Sequence, residues 1–159
     1  MTLDAEVARL ARTRPFSLMP REAVQLVAFS CARQRLRAGE TLFSAGDEGD
    51  AGYFVQAGAI LVQGPSGAAD GARRVTTGAL IGESALYAPV VRRVDARAVE
   101  DTVLTRIPRE TFRRVLAEFP EAAGKVRAAL AQRMLRLVDG LDAARVRSID
   151  AGGQPRTPT

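Results

Sequence analysis

Apolar positions near the start of the chain follow a helical period. Leu3, Val7 and Leu10 recur at spacings of four and three, which predicts a helix over residues 3–12 with one apolar face. Pro15 ends that pattern. A second helical stretch begins near Pro20 and carries Val24, Val27 and Ala28 on its inner side. From Arg33 the period shortens towards two, and glycines punctuate the chain at Gly39, Gly46, Gly49, Gly52 and Gly58. The segments QRLRAGETLF, YFVQAGAILVQ and RRVTTGALIG are short, rich in strand formers and separated by turn signals, the signature of an antiparallel sandwich or barrel. Residues 64–72, GPSGAADGA, predict a flexible hairpin loop. Between Arg93 and Val99 the alternation is clean: Val94, Ala96 and Ala98 lie on one face, Arg93, Asp95 and Arg97 on the other.

After Arg106 the period returns to that of a helix. Pro108 suits a first helical turn, and Phe112, Val115, Leu116 and Phe119 mark one face. Pro120 restarts the chain into a longer helix reaching about Leu141, with Ala123, Leu130, Met134, Leu137 and Leu141 along it. The last four form a heptad-like seam, and Arg127 upstream keeps any coiled coil short. The segment SIDAGGQPRTPT is polar and rich in Gly and Pro, which predicts a disordered tail. The expected organisation is one domain over 1–142, with N-terminal helices at 1–30, a β-roll at 31–107 and C-terminal helices at 108–142. Residues 143–159 form the tail. The fold class is mainly β with flanking helices: an antiparallel β-roll of the jelly-roll (double-stranded β-helix) kind, between N-terminal helices and a C-terminal helix pair.

Composition narrows the chemistry. A chain of 159 residues has the length of one domain. It contains no histidine, which removes Ser-His-Asp and Cys-His nucleophiles and the histidine ligands of zinc and iron sites. No catalytic residue and no metal site are expected. Cys31 is the single cysteine, so no internal disulfide forms, in keeping with a reducing cytoplasm. No apolar run spans a bilayer, and the N-terminus lacks the apolar core of a secretory signal. The formal charge is +5, with 23 basic residues of which all but Lys125 are arginine. The arginines are scattered and few aromatics lie between them, a weak footprint for nucleic acid.

One segment concentrates ligand chemistry: Thr77-Gly78-Ala79-Leu80-Ile81-Gly82-Glu83-Ser84-Ala85-Leu86, followed by Arg92. A strand ends in glycine and a short helical turn begins at Ser84. Free N–H groups at such a start attract an anion, and a glycine lets backbone approach a ligand closely. An arginine returning shortly afterwards closes over the same anion with charge-assisted bonds. Glu83 beside an anion needs a separate task, and accepting from a ribose hydroxyl is the natural one. The alternative for Gly82 and Glu83 is a tight turn with a solvated acid, and for Arg92 a surface side chain.

These residues resemble the phosphate-binding cassette of cyclic-nucleotide-binding domains, of the catabolite-activator and protein-kinase-A-regulatory type. Its pattern runs approximately F-G-E-x-A-L-(five residues)-R-(small)-A-x-V and stands here as Ile81-Gly82-Glu83-Ser84-Ala85-Leu86, then Arg92-Arg93-Val94-Asp95-Ala96. The run from Ala38 to Asp50 and the segment Tyr53-Phe54-Val55-Gln56-Ala57-Gly58 are similar to the family's early strands, and Phe16-Ser17-Leu18 stands where the family enters its first strong helix. The resemblance covers roughly residues 14–138. It implies a bound 3′,5′-cyclic nucleotide, cAMP or else cGMP, and no covalent cofactor. Glu83 would take the ribose 2′-hydroxyl with the Gly82 backbone nearby. Ser84 lies within the cassette, the N–H groups of Ala85 and Arg93 would face the cyclic phosphate, and the Arg92 guanidinium would pair with it.

Two positions depart from the pattern. Arg93 stands where a small or hydroxyl residue is usual, and Val94 replaces an alanine. Arg93 either adds to phosphate binding or fills the pocket. Gripping with Arg93 instead of Arg92 would place Asp95 on a buried small-residue position, and burying an unpaired carboxylate costs several kcal/mol. Arg92 is therefore the preferred grip. Arg133, Met134 and Leu137 are candidates for capping the base from the C-terminal helix, whose seam either forms a homodimer or packs on the chain's own roll. The residues beyond Leu141 are too few for the helix-turn-helix that transcription factors of this kind append, and no DNA-binding or membrane segment is present. The expected function is a cytoplasmic cAMP-type sensor that shifts its C-terminal helix and signals to an effector protein. The alternative is a roll without ligand competence that serves protein–protein contact.

Overall fold

The computed structural model describes residues 2–64 and 71–152, and side chains up to residue 140. Helix α1 (Leu3–Leu10) is capped by Thr2, whose hydroxyl accepts from the Ala5 N–H at 3.3 Å. A single 3-10 turn follows at Phe16–Leu18, then α2 (Arg21–Ser30). Among the described residues ten strands come next: β1 (Ala32–Leu36), β2 (Thr41–Phe43), β3 (Glu48–Gly49), β4 (Ala51–Ala57), β5 (Ala59–Gln63), β6 (Arg73–Thr76), β7 (Leu80–Ile81), β8 (Val90–Val91), β9 (Asp95–Ala98) and β10 (Thr102–Pro108). A second 3-10 turn at Glu83–Leu86 interrupts them between β7 and β8, and α3 (Arg109–Glu118) and α4 (Pro120–Gly152) close the chain.

All the pairings are antiparallel, and they build sheets of order β1-β10-β4-β7 and β2-β9-β5-β6 plus the small pair β3-β8. The two larger sheets close on each other as the expected β-roll. Strands β5 and β6 pair through Ile60–Val75 and their neighbours. The hairpin loop expected between them lies largely outside the described residues.

Strand β4 explains how two cores coexist. Every residue from Ala51 to Gln56 is buried, because each face of this strand meets a different apolar layer. Ala51, Tyr53 and Val55 point into the roll with Leu36, Phe43, Ile60, Ile81, Ala96, Ala98 and Leu104. Phe54, on the opposite face, joins Val7, Leu10, Phe16, Val24, Val27, Leu86, Ile107, Phe112 and Val126 in the layer beneath the helices. Alternation along the strand divides its side chains between the layers. Gln56, also buried, donates from Nε2 to the Thr105 hydroxyl at 2.9 Å.

The punctuating glycines fall into two kinds. Gly39, Gly46 and Gly58 have positive φ and make turns, whereas Gly49 and Gly52 lie inside strands without it. Cys31 is half-buried against the helical layer. Burial pushes its thiol up to about 12, against the opposing pull of Arg106.

The C-terminal helix differs from the expectation in length. It runs on to Gly152 where a disordered tail from residue 143 was expected; residues 153–159 lie outside the described residues. At about 1.5 Å per residue it is about 50 Å long. Among the residues whose side chains are described, only its first turns pack on the body: Ala122 and Val126 are buried and Ala129 and Leu130 half-buried, while residues 131–140 are exposed. Met134 and Leu137 of the seam therefore do not pack on the chain's own roll, and the Leu141 side chain lies outside the described residues. No helix among the described residues is long and apolar enough to cross a membrane.

Phe54→Ala should cost about 3–5 kcal/mol of stability in urea denaturation, since it removes a fully buried ring shared by sheet and helices. Phe29→Ala, at a side chain 79% exposed, should stay within about 0.5 kcal/mol.

Candidate functional site

The cassette is built around one side chain that turns inward. Arg92 follows the short strand β8, and its N–H donates to the Asp47 carbonyl at 2.8 Å, which pins the chain there. Its side chain is only 7% exposed. The guanidinium donates from Nη2 to the Ala51 carbonyl at 2.5 Å and from Nη1 to the Gly82 carbonyl at 3.5 Å. It also stacks over the Phe43 ring at 4.4 Å and stands 5.9 Å from the centre of Tyr53. Cation–π contact of this kind strengthens when water is excluded. Among the described residues no carboxylate lies within ion-pair distance of Arg92. Burial lowers its pKa from the ordinary arginine value, although Tyr53, Asp50 and Asp47 act the other way.

Two glycines make this burial possible. Gly82, at φ +70°, would place any Cβ at 2.3 Å from Arg92 Nη1. Gly49 would place one at 2.7 Å from Nε. The guanidinium occupies the first space and shares the second with the Val90 side chain, whose Cγ2 would lie 2.9 Å from that Cβ. Gly49 reads in the sequence as turn punctuation, but it is a strand residue kept small by a contact from a residue over forty positions later.

A cavity of about 690 Å³ opens beside Arg92, lined also by Phe43, Val62, Arg73, Gly82, Ser84, Arg93 and Val94. That volume lies within the usual range of small-molecule sites, about 300–1,000 Å³. Arg93 is exposed and Val94 half-buried, so both stand at the wall and neither takes the place of Arg92. Asp95 is also half-buried; its carboxylate accepts from the Ala45 N–H at 2.7 Å. Thus Gly82, Ser84, Arg92 and Arg93 meet at one cavity.

The other candidates are placed elsewhere. Ala85 is buried, and its N–H donates to the Gly82 carbonyl at 3.1 Å within the turn. Glu83 does not line the Arg92 cavity. Its Oε1 accepts from the Tyr87 hydroxyl at 2.5 Å and from Arg133 Nη1 of α4 at 3.3 Å. Tyr87 is held protonated: burial raises its pKa first and the bond to Glu83 adds to that. Met134 and Leu137 are 68% and 64% exposed and do not line the Arg92 cavity, so of the base-capping candidates only Arg133 reaches the cassette. Sequence reasoning missed Phe43, Gly49, Tyr53 and Tyr87 as site residues. Tyr87 carried a signal, because it directly follows the cassette's Leu86.

Residues 33–119, more than half of the chain, match the model of the cyclic nucleotide-binding domain. The chain belongs to this family. A cyclic nucleotide-binding-like protein from Brucella abortus is 35% identical, with a TM-score of 0.64 over 72% of this chain and 99% of that one. The N-terminal domain of a transcriptional regulator from Streptomyces coelicolor is 27% identical, with a TM-score of 0.75 over 84% of this chain and 94% of that one. A lysophospholipase nte1 from Aspergillus terreus is 30% identical over 125 residues, 77% of this chain but 8% of the enzyme. The domain thus spans a small part of the curated relatives it matches.

The contact between Gly49 and Arg92 is open to a double-mutant cycle. Gly49→Ala should cost about 1–3 kcal/mol in the wild-type background, as overpacking does, and clearly less when combined with Arg92→Ala. Equal costs in both backgrounds, read by chemical denaturation, would show that the guanidinium does not set the space at Gly49.

Proposed function

We propose that the domain binds a 3′,5′-cyclic nucleotide of the cAMP type in the Arg92 cavity, and that binding repositions α4. It acts as a binding module and not as an enzyme, in the cytoplasm, and passes its signal to an effector protein. The observation that carries this reading is the buried Arg92 guanidinium, which among the described residues meets carbonyls and aromatic rings but no carboxylate. A cyclic phosphodiester carries one negative charge and supplies the missing partner through charge-assisted bonds.

Ser84 and the backbone around Gly82 border the phosphate in this reading, and Arg93 adds a second cation at the wall. Glu83 is the coupling element. To accept from the ribose 2′-hydroxyl it must leave Tyr87 and Arg133, and Arg133 belongs to α4. Ligand and helix therefore compete for one carboxylate. The shift of α4 is only as large as the difference in ligand affinity between the two helix positions. The apolar stripe of Met134, Leu137 and Val138 on the exposed part of α4 is the surface for a second copy of the chain, which could bring a base-capping side chain to the cavity.

A second reading rests on the positions of Glu83 and Ala85. With the carboxylate turned to α4 and the Ala85 N–H spent inside its turn, the roll is a protein–protein contact module that binds no nucleotide.

Titration of a fluorescent cAMP analogue separates the two. Wild type should bind it, and Arg92→Ala should lose about 2–4 kcal/mol of binding free energy, the cost of an unmet buried charge. Arg133→Ala should bind several-fold more tightly, because Glu83 is released. Melting should rise with cAMP or cGMP and not with AMP; a ligand at 100 times its Kd adds about 2.7 kcal/mol. No shift with either cyclic nucleotide would leave the contact-module reading in place. Sedimentation equilibrium tests the dimer: the wild type should sediment as a dimer and Leu137→Glu as a monomer. A monomeric wild type would remove α4 as the interface.

A further inference from the structure

A second recess, of about 310 Å³, shares no lining residue with the Arg92 cavity. Three parts of the chain wall it. Arg14, Pro15 and Leu18 come from the segment at the first 3-10 turn, Glu83 and Tyr87 from the cassette, and Val126, Ala129, Leu130, Arg133 and Arg136 from α4. The helix residues are spaced at three and four, so they share the one face of α4 that looks onto the body. Pro15, Leu18, Val126 and Leu130 give the recess apolar walls, and the polar groups stand around them.

Its charge is unbalanced. Arg14, Arg133 and Arg136 contribute three guanidinium groups, and among the described residues Glu83 is the only acid that lines it. Glu83 is already engaged by Tyr87 and Arg133. Among the described residues neither Arg14 nor Arg136 has a carboxylate within 4 Å. Arg133 and Arg136 are neighbours on the helix surface, where like charges repel, and Arg14 faces them from the N-terminal segment. Planar forks gathered around one recess match the oxygens of a phosphoryl group.

We propose that this recess is a second anion site, which takes the phosphoryl group of a small soluble ligand between Arg14 and Arg136, with Arg133 shared between that ligand and Glu83. The occupant ties the N-terminal segment to α4 and holds the helix against the body. Its arginines lie outside the Arg92 cavity, so the anion needs no nucleotide to bind; the two sites meet only at Glu83, which the proposed function assigns to the nucleotide. Where both are filled, the anion draws Arg133 away from Glu83, and any coupling between the sites is reciprocal.

The test is thermal melting of the full chain in inorganic pyrophosphate against sodium chloride at matched ionic strength. Wild type and Arg92→Ala should both rise by about 5 °C at saturating pyrophosphate. The double variant Arg14→Ala/Arg136→Ala should not rise; both side chains lie at the surface, so its fold is retained. A shift no larger than that in chloride overturns the site, as does a shift that survives in the double variant. A shift lost in Arg92→Ala but kept in the double variant moves the anion to the cassette, which overturns this site and leaves the proposed function standing. Pelleting with phosphatidic acid vesicles, lost in the double variant and without any pyrophosphate shift, would assign the arginines to a lipid headgroup and overturn the soluble ligand.

Discussion

A guanidinium that is buried and, among the described residues, has no carboxylate partner sets the terms for the rest of this domain. Taking a cation out of water costs several kcal/mol even after the protein relaxes, and Arg92 offsets that cost with two carbonyls and an aromatic face. Those partners come from three stretches of chain, Phe43 at the end of β2, Ala51 at the start of β4 and Gly82 before the cassette turn, and Arg92 itself follows β8. The arrangement leaves positive charge at the edge of a cavity, and closing the roll also closes the ring of partners around it.

Glu83 shows how the same cassette faces two ways. Its backbone belongs to the turn beside the Arg92 cavity, while its side chain reaches α4 through Arg133 and is fixed by Tyr87. A short turn with distinct contacts on its two sides is a compact means of linking a ligand site to a helix. In the proposed function the link needs no long chain of residues, since this one carboxylate would serve both the ligand and the helix. The chain is similar to parts of proteins as different as a bacterial regulator and a fungal lysophospholipase.

The helix itself has an uneven environment. Its first turns complete the apolar layer that α1, α2 and α3 share with the outer face of β4 and β10. Beyond Leu130 it leaves the body and exposes Met134, Leu135, Leu137 and Val138. The transition from buried to exposed follows Leu130, within one turn of Arg133, the residue that holds the cassette. The helix is thus packed at one end and joined to the cassette by one ion pair near the point of departure.

Much of this was legible in the residues taken in order. Helical and strand periods located the flanking helices and the roll, because apolar spacing follows directly from local geometry. The cassette was readable because glycine, glutamate and arginine stand at set intervals along a continuous stretch. The length of α4 was not: a polar segment containing Gly and Pro reads as a tail, yet the helix continues to Gly152. Nor could spacing reveal that Gly49 is small because Arg92 lies on it, or that Phe43 carries the guanidinium. Those contacts join residues some fifty positions apart, and only closure of the antiparallel roll brings them together. The direction of the Glu83 side chain was likewise decided by packing, since the turn alone permits either side and the position of Arg133 on α4 selects one.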